Sequence, residues 1–166
     1  MIVTSKERFA EEVKKEVNNK SIYVWGGQGE KTATASISML ERMETGKNNV
    51  KRVLEYINTI YDKNDGIPAN SRMFDCSGLV TYTLMKLGLL TYDTTADGLY
   101  KRCKPISKRE LEKGDLCFKV TNDKASHVGV YIGDNTIVEA YGRDKGVIIS
   151  ELSSTFNKFG VYPKFV

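Results

Sequence analysis

Three cysteines and a single histidine are the scarcest reactive side chains in this 166-residue sequence, and one pair of them is placed for nucleophilic chemistry. Cysteine attacks as the thiolate, so a nucleophilic cysteine needs surroundings that favour negative sulfur. Cys76 lies in the segment Phe-Asp-Cys-Ser-Gly-Leu-Val, residues 74–80. Leu79, Val80, Thr83, Leu84 and Leu87 then keep helical spacing up to Gly88. Cys76 is therefore predicted in the first turn of a helix, where the positive end of the helix dipole favours an anion. Asp75 is the natural N-cap, Gly78 leaves space for a substrate to approach the backbone, and the free N–H groups of the first turn suit an oxyanion. The competing reading is a buried structural thiol, a role that fits Cys103 and Cys117 better.

The histidine, His127, opens Ser-His-Val-Gly-Val-Tyr-Ile-Gly, and a second alternating run, Asn-Thr-Ile-Val-Glu-Ala-Tyr, follows. With a three-residue hairpin loop at Gly133–Asn135, position 129 faces 139. Val128, Val130, Ile132, Val138 and Ala140 then share an apolar face, and His127, Glu139 and Tyr141 share the other. A two-residue loop would scatter the apolar positions over both faces. The pattern thus makes Glu139 a diagonal neighbour of His127, within side-chain reach. A carboxylate there orients the imidazole and stabilises its cation. The alternative is a solvated Glu139 on a sheet surface.

These residues imply elements to hold them. Residues 5–19, 32–45, 48–63 and 76–87 read as helices, with a short one around 94–103. From Gly114 onward the period becomes that of strands: residues 115–120, 127–133, 135–141, 146–150 and 160–166. Helices followed by antiparallel strands are an α+β layout in one domain, 1–166. The net charge of +4, from 25 basic and 21 acidic residues, is scattered and forms no basic stripe with aromatics, so nucleic acid is not an expected partner. One histidine and three dispersed cysteines supply no good zinc set, so no metal or cofactor is expected. No apolar run reaches ~18 residues, and none at the N-terminus resembles a secretory h-region.

As a group, Tyr-Val-Trp-Gly-Gly (23–27), Phe-Asp-Cys-Ser-Gly-Leu-Val, Leu-Glu-Lys-Gly-Asp-Leu-Cys-Phe (111–118) and the stretch 126–140 resemble the NlpC/P60 peptidases in order and spacing. The resemblance implies a papain-like α+β fold and hydrolysis of peptide links in bacterial peptidoglycan, most often between γ-D-glutamate and the diamino acid. It implies Cys76 as nucleophile, His127 as base and Glu139 in the third polar position, with Tyr23, Asp75, Ser77 and Ser126 lining the substrate cleft. Asp75 would meet the amino end of the stem peptide. Glutamate in the third position, where histidine is common, is closer to the related CHAP amidases. Residues 30–72 separate two motifs that are usually adjacent; this insertion is expected to form a helical cap beside the cleft. Synthesis without a visible signal peptide suggests a phage or prophage endolysin unit acting on the wall after holin-type release, or a wall hydrolase whose leader is missing. The alternatives are an N-acetylmuramoyl-L-alanine amidase, an acyltransferase on other substrates, and a non-catalytic wall-binding module.

Overall fold

The computed structural model describes residues 5–165. Helix α1 (Ser5–Asn18) turns Phe9, Ala10 and Val13 inward at helical spacing and is followed by the two-residue strand β1 (Ile22–Tyr23) and by β2 (Gln28–Lys31). Helices α2 (Ile37–Met43) and α3 (Lys47–Asn64) occupy the insertion, and β3 (Arg72–Phe74) leads into α4 (Cys76–Lys86). The short α5 (Ala96–Arg102) precedes β4 (Lys104–Ile106), β5 (Leu116–Thr121), β6 (Lys124–Gly133), β7 (Thr136–Gly142), β8 (Gly146–Glu151) and β9 (Lys158–Val161).

The strands form two sheets. The small one has order β1-β3-β2 and the large one β4-β9-β5-β6-β7-β8. Strands β5 to β8 are the expected meander. The last strand does not extend it at the β8 edge: β9 returns to pair with β5 and with β4, a strand the sequence reading had not assigned. Phe9, Val13, Leu79, Val80 and Leu84 from α1 and α4 pack on Leu116, Phe118, Val128, Val130, Val138 and Ala140 of the large sheet. A second core joins Leu40, Val50, Val53 and Ile60 of the insertion to Ile22, Val24 and Met73 of the small sheet.

The hairpin carrying His127 corrects one expectation. The loop is two residues long, Asp134–Asn135, closed by Gly133 opposite Thr136. Both loop residues have positive φ, 51° and 58°, as a turn matched to strand twist requires. The register shifts between Tyr131 and Gly133, so Ile132 is an extra residue on β6. That bulge restores Val130 opposite Val138, the pairing the apolar pattern demanded. Nor is the face of His127 and Glu139 simply solvated. Cys117, Ile137, Leu152 and Phe156 form a third, smaller apolar cluster, with Gly129 packed on Ile137 and Glu139.

Gly78 serves packing, where the sequence suggested room for substrate. It is buried, and a Cβ there would stand 1.9 Å from the Gly27 carbonyl oxygen and 2.8 Å from Asp75 Oδ1. Backbone cannot swing aside as a flexible side chain does. Gly78→Ala is therefore expected to destabilise the protein by about 1–3 kcal/mol, seen as a lower midpoint in urea unfolding. An unchanged midpoint would show that the two segments do not need this approach.

Candidate active site

Two glycine-containing segments build the floor of the site. Strand β1 runs parallel to β3, with Ile22 beside Met73 and Tyr23 beside Phe74. The chain then turns at Gly26 and Gly27, and the Gly27 carbonyl accepts the Asp75 N–H at 3.0 Å. Asp75 caps α4: its Oδ1 accepts from Gly78 N at 2.7 Å and from the Ser77 hydroxyl at 3.3 Å, and its Oδ2 accepts from Gly26 N at 3.1 Å. Burial pushes the Asp75 carboxyl above its ordinary range despite these donors. The cap fixes where α4 starts, and so where the Cys76 sulfur stands. The N–H groups of Cys76 and Ser77 precede the first intrahelical bond, Leu79 N to Asp75 O at 3.1 Å.

His127 reaches this helix start from β6. Strand β6 bears a second bulge beside it: Lys119 pairs with His127 but Val120 pairs with Ala125, leaving Ser126 unpaired. Bulges re-aim neighbouring side chains, and this one immediately precedes the imidazole. Ser126 is exposed, its hydroxyl 3.4 Å from the Lys119 carbonyl. His127 Nε2 lies 2.8 Å from Glu139 Oε1, which leaves Nδ1 as the nitrogen available to Cys76. The Glu139 side chain is 5% exposed, so the solvated reading of this carboxylate does not hold. Its other oxygen, Oε2, accepts a short hydrogen bond from the Ser150 hydroxyl on β8. The Phe156 ring packs against the imidazole at 5.7 Å between centroids.

Electrostatics follow from this geometry. Burial by itself would lower the pKa of His127, but hydrogen bonds to Cys76 and Glu139 outweigh it and raise the imidazole to about 9. Burial likewise opposes the charge on Glu139, yet bonds from His127 and Ser150 hold that carboxyl below its usual range. A cation between two acceptors and an anion between two donors stabilise each other. Cys103 and Cys117 are buried, and burial pushes each thiol up to about 12.

Tyr23 pairs with Phe74, two residues ahead of Cys76. Burial first, then the nearby charges of Cys76 and Asp75, push its phenol up to about 12, so it remains an O–H donor. The Arg143 guanidinium lies 5.3 Å above the Tyr23 ring and is held from behind by Glu44. Arg143 Nε and Nη2 donate to Glu44 Oε2 and Oε1 at 2.8 and 2.7 Å. The Glu44 side chain is fully buried and also accepts the backbone N–H of Trp25 at 3.1 Å and of Thr45 at 3.0 Å. Sequence reasoning missed Ser150, Phe156, Glu44 and Arg143. An alternation count on 146–150 puts Ser150 on the face of Glu139 once β7 and β8 are paired; no local signal marks the other three.

The structure thus brings Cys76, His127 and Glu139 together, with Tyr23, Asp75 and Ser77 around the helix start and Ser126 exposed beside the histidine. Among the described residues, no group of three or more metal-binding side chains occurs and no helix is long and apolar enough to cross a membrane. The NlpC/P60 family profile matches residues 20–161. Over 87 residues, half of this chain, the sequence is 36% identical to the murein DD-endopeptidase MepH of Escherichia coli strain K12, of which it spans 32%. Over 90 residues, 54% of this chain, it is 30% identical to the peptidoglycan DL-endopeptidase CwlO of Bacillus licheniformis, of which it spans 20%. The solved P60 domain of the M. avium subspecies paratuberculosis antigen MAP1204 superposes with a TM-score of 0.58 at 23% identity, covering 93% of this chain and 94% of that one. The helix-start cysteine, the bulged strand with its histidine and the profile match over most of the chain lead to one assignment: this protein belongs to the NlpC/P60 family.

Proposed function

We propose that the protein is a cysteine endopeptidase of peptidoglycan stem peptides, acting at the cell wall and cutting between γ-D-glutamate and the diamino acid. The observation that carries the chemistry is the chain of contacts from Cys76 through His127 to Glu139 and Ser150, rooted at the first turn of α4. The names of the two relatives, both wall endopeptidases, support the substrate class; MepH is named for a DD bond and CwlO for a DL bond, and the DL name is the one that fits this cut.

In this mechanism the Cys76 thiolate, facing a protonated His127, attacks the carbonyl carbon of the cut bond. The oxygen takes up the electron pair and is met by the N–H groups of the first helical turn. Collapse breaks the C–N bond as His127 donates its proton to the leaving amine, giving a thioester on Cys76. His127, now neutral, takes a proton from water; the hydroxide attacks the thioester, and the acid product and the thiolate–imidazolium pair are released. Glu139 holds the ring and stabilises its cation at each stage, and Ser150 holds Glu139.

Two measurements test this reading. Digestion of purified walls followed by mass spectrometry is expected to release disaccharide-dipeptides, and Cys76→Ala is expected to abolish release while remaining folded. Free stem peptides would indicate an amidase instead, and wall binding without any release would indicate a binding module. The second concerns pH. Activity requires protonated His127, so the alkaline limb of kcat/KM is expected near the imidazole value of about 9. Glu139 raises that value, so Glu139→Gln must move the limb to lower pH and lower turnover by about tenfold or more, each decade being ~1.4 kcal/mol. A limb left unmoved in Glu139→Gln would remove the carboxylate from the mechanism.

A further inference from the structure

On the Tyr23 side of the site, a cleft of about 330 Å³ is lined by Tyr23, Arg52, Tyr141, Arg143, Asp144 and Lys145. Its hydrogen-bonding capacity is unequally spent. The one carboxylate, Asp144, already takes both Nε and Nη2 of Arg52, at 3.1 and 2.8 Å. Glu44, behind the wall, is filled by Arg143 and two backbone amides. Among the described side chains what remains is mainly donor: Arg143 Nη1 and the Lys145 ammonium, which only donate, and the hydroxyls of Tyr23 and Tyr141, which can donate. Arg143 is only partly covered, its side chain 15% exposed, so its outer edge is open to the cleft. A concavity whose unspent groups are donors, two of them cationic, suits an anionic acceptor, and guanidinium suits a planar carboxylate best.

The wall is also rigid. The turn that carries Arg143 is tied to the insertion at three points: Glu44 on Arg143, Arg52 on Asp144, and the Tyr56 hydroxyl on the Lys145 carbonyl at 2.7 Å. A guanidinium so braced loses little freedom on meeting a ligand. Tyr23 links this guanidinium to the nucleophile: its ring lies under Arg143, and β1 pairs it with Phe74, two residues before Cys76.

The adjacency of this donor-lined cleft to the nucleophile through Tyr23 points to a group of the substrate itself. A glutamate linked through its γ-carboxyl keeps its α-carboxylate free, three carbons from the carbonyl that is cut, a reach of roughly 5 Å. We infer that the cleft is a carboxylate subsite in which Arg143, held by Glu44, reads the α-carboxylate of the γ-linked glutamate next to the cut bond. The inference rests on the endopeptidase reading above and adds a discrimination to it: stem peptides in which that carboxylate is a carboxamide are poor substrates.

The test uses L-Ala-γ-D-Glu-L-Lys-D-Ala and the same peptide with the glutamate α-carboxyl amidated. The unmodified protein is expected to favour the carboxylate by about tenfold or more in kcat/KM, the loss of one charge-assisted hydrogen bond. Amidating the C-terminal carboxyl instead should change the rate little; a gap there alone would overturn the assignment of the ligand. Removing only the arginine leaves Glu44 buried and unpaired, so Arg143→Gln is compared with the neutral pair Glu44→Gln/Arg143→Gln. In whichever folds, the preference should collapse to about twofold or less, and a preference that survives in a folded variant overturns the proposal. Equilibrium binding of both peptides to Cys76→Ala separates this from the endopeptidase reading. If the unmodified protein cuts neither peptide but Cys76→Ala binds the carboxylate form more tightly, the subsite stands and the endopeptidase reading fails. Equal binding of the two forms, or none of either, overturns the subsite.

Discussion

The Gly27 carbonyl is the point on which the site is built. It accepts the N–H of Asp75, and the backbone of Gly78 presses against it so closely that no Cβ fits between. Gly27 is packed as tightly from its own side, where a Cβ would stand 2.7 Å from Phe74 N. This contact sets the start of α4 against the turn between β1 and β2, and Asp75 closes it by capping the helix with one oxygen and holding Gly26 with the other. Cys76 is the next residue. Its position is thus set by main-chain packing together with the Asp75 cap, which leaves the sulfur at a helix start.

In the buried carboxylates that frame the site, each oxygen has at least one donor. Glu139 has His127 and Ser150. Glu44 has both arms of Arg143 and two backbone amides. Asp115, in the Gly-Asp-Leu segment, has Lys6 at 3.1 Å and the Glu112 N–H at 2.8 Å, which ties α1 to the entry of β5. An ion buried without partners would cost several kcal/mol, so these sets fix particular arrangements more than they add stability. The first orients the imidazole, the second holds the wall beyond Tyr23, and the third anchors the sheet that carries both.

The cysteine helix and the relation of His127 to Glu139 were legible because each rests on a strong periodic pattern. The apolar set 128, 130, 132, 138 and 140 admits one register, and the structure adopts it, with Val130 opposite Val138. The route differed: a two-residue turn plus a bulge at Ile132 gives the same offset as a three-residue loop, and alternation cannot tell them apart. The bulge at Ser126, the return of β9 to β5 and the strand β4 were not legible, because each depends on pairing between segments far apart in sequence. Gly78 was misread for a related reason: what crowds it is the Gly27 carbonyl, 51 positions back in the chain.

The insertion shows how helical spacing can state what an element buries without stating what it does. Val50, Val53 and Ile60 mark the inner face of α3, and they meet Ile22, Val24 and Met73 as an amphipathic helix should. The residues that bear on the cleft do so through polar groups: Glu44 at the end of α2, Arg52 on α3, and the hydroxyl of Tyr56, whose ring packs at the edge of that core. All three act on the turn between β7 and β8, and that turn directly follows the strand bearing Glu139. The insertion therefore braces the turn at residues 143–145 from behind. It holds Arg143 over Tyr23 and leaves the Cys76 side of the cleft to the Gly27–Asp75 contact. The two walls meet at β1 and β3: Tyr23 and Phe74 pack with the large core, while their neighbours Ile22 and Met73 belong to the second.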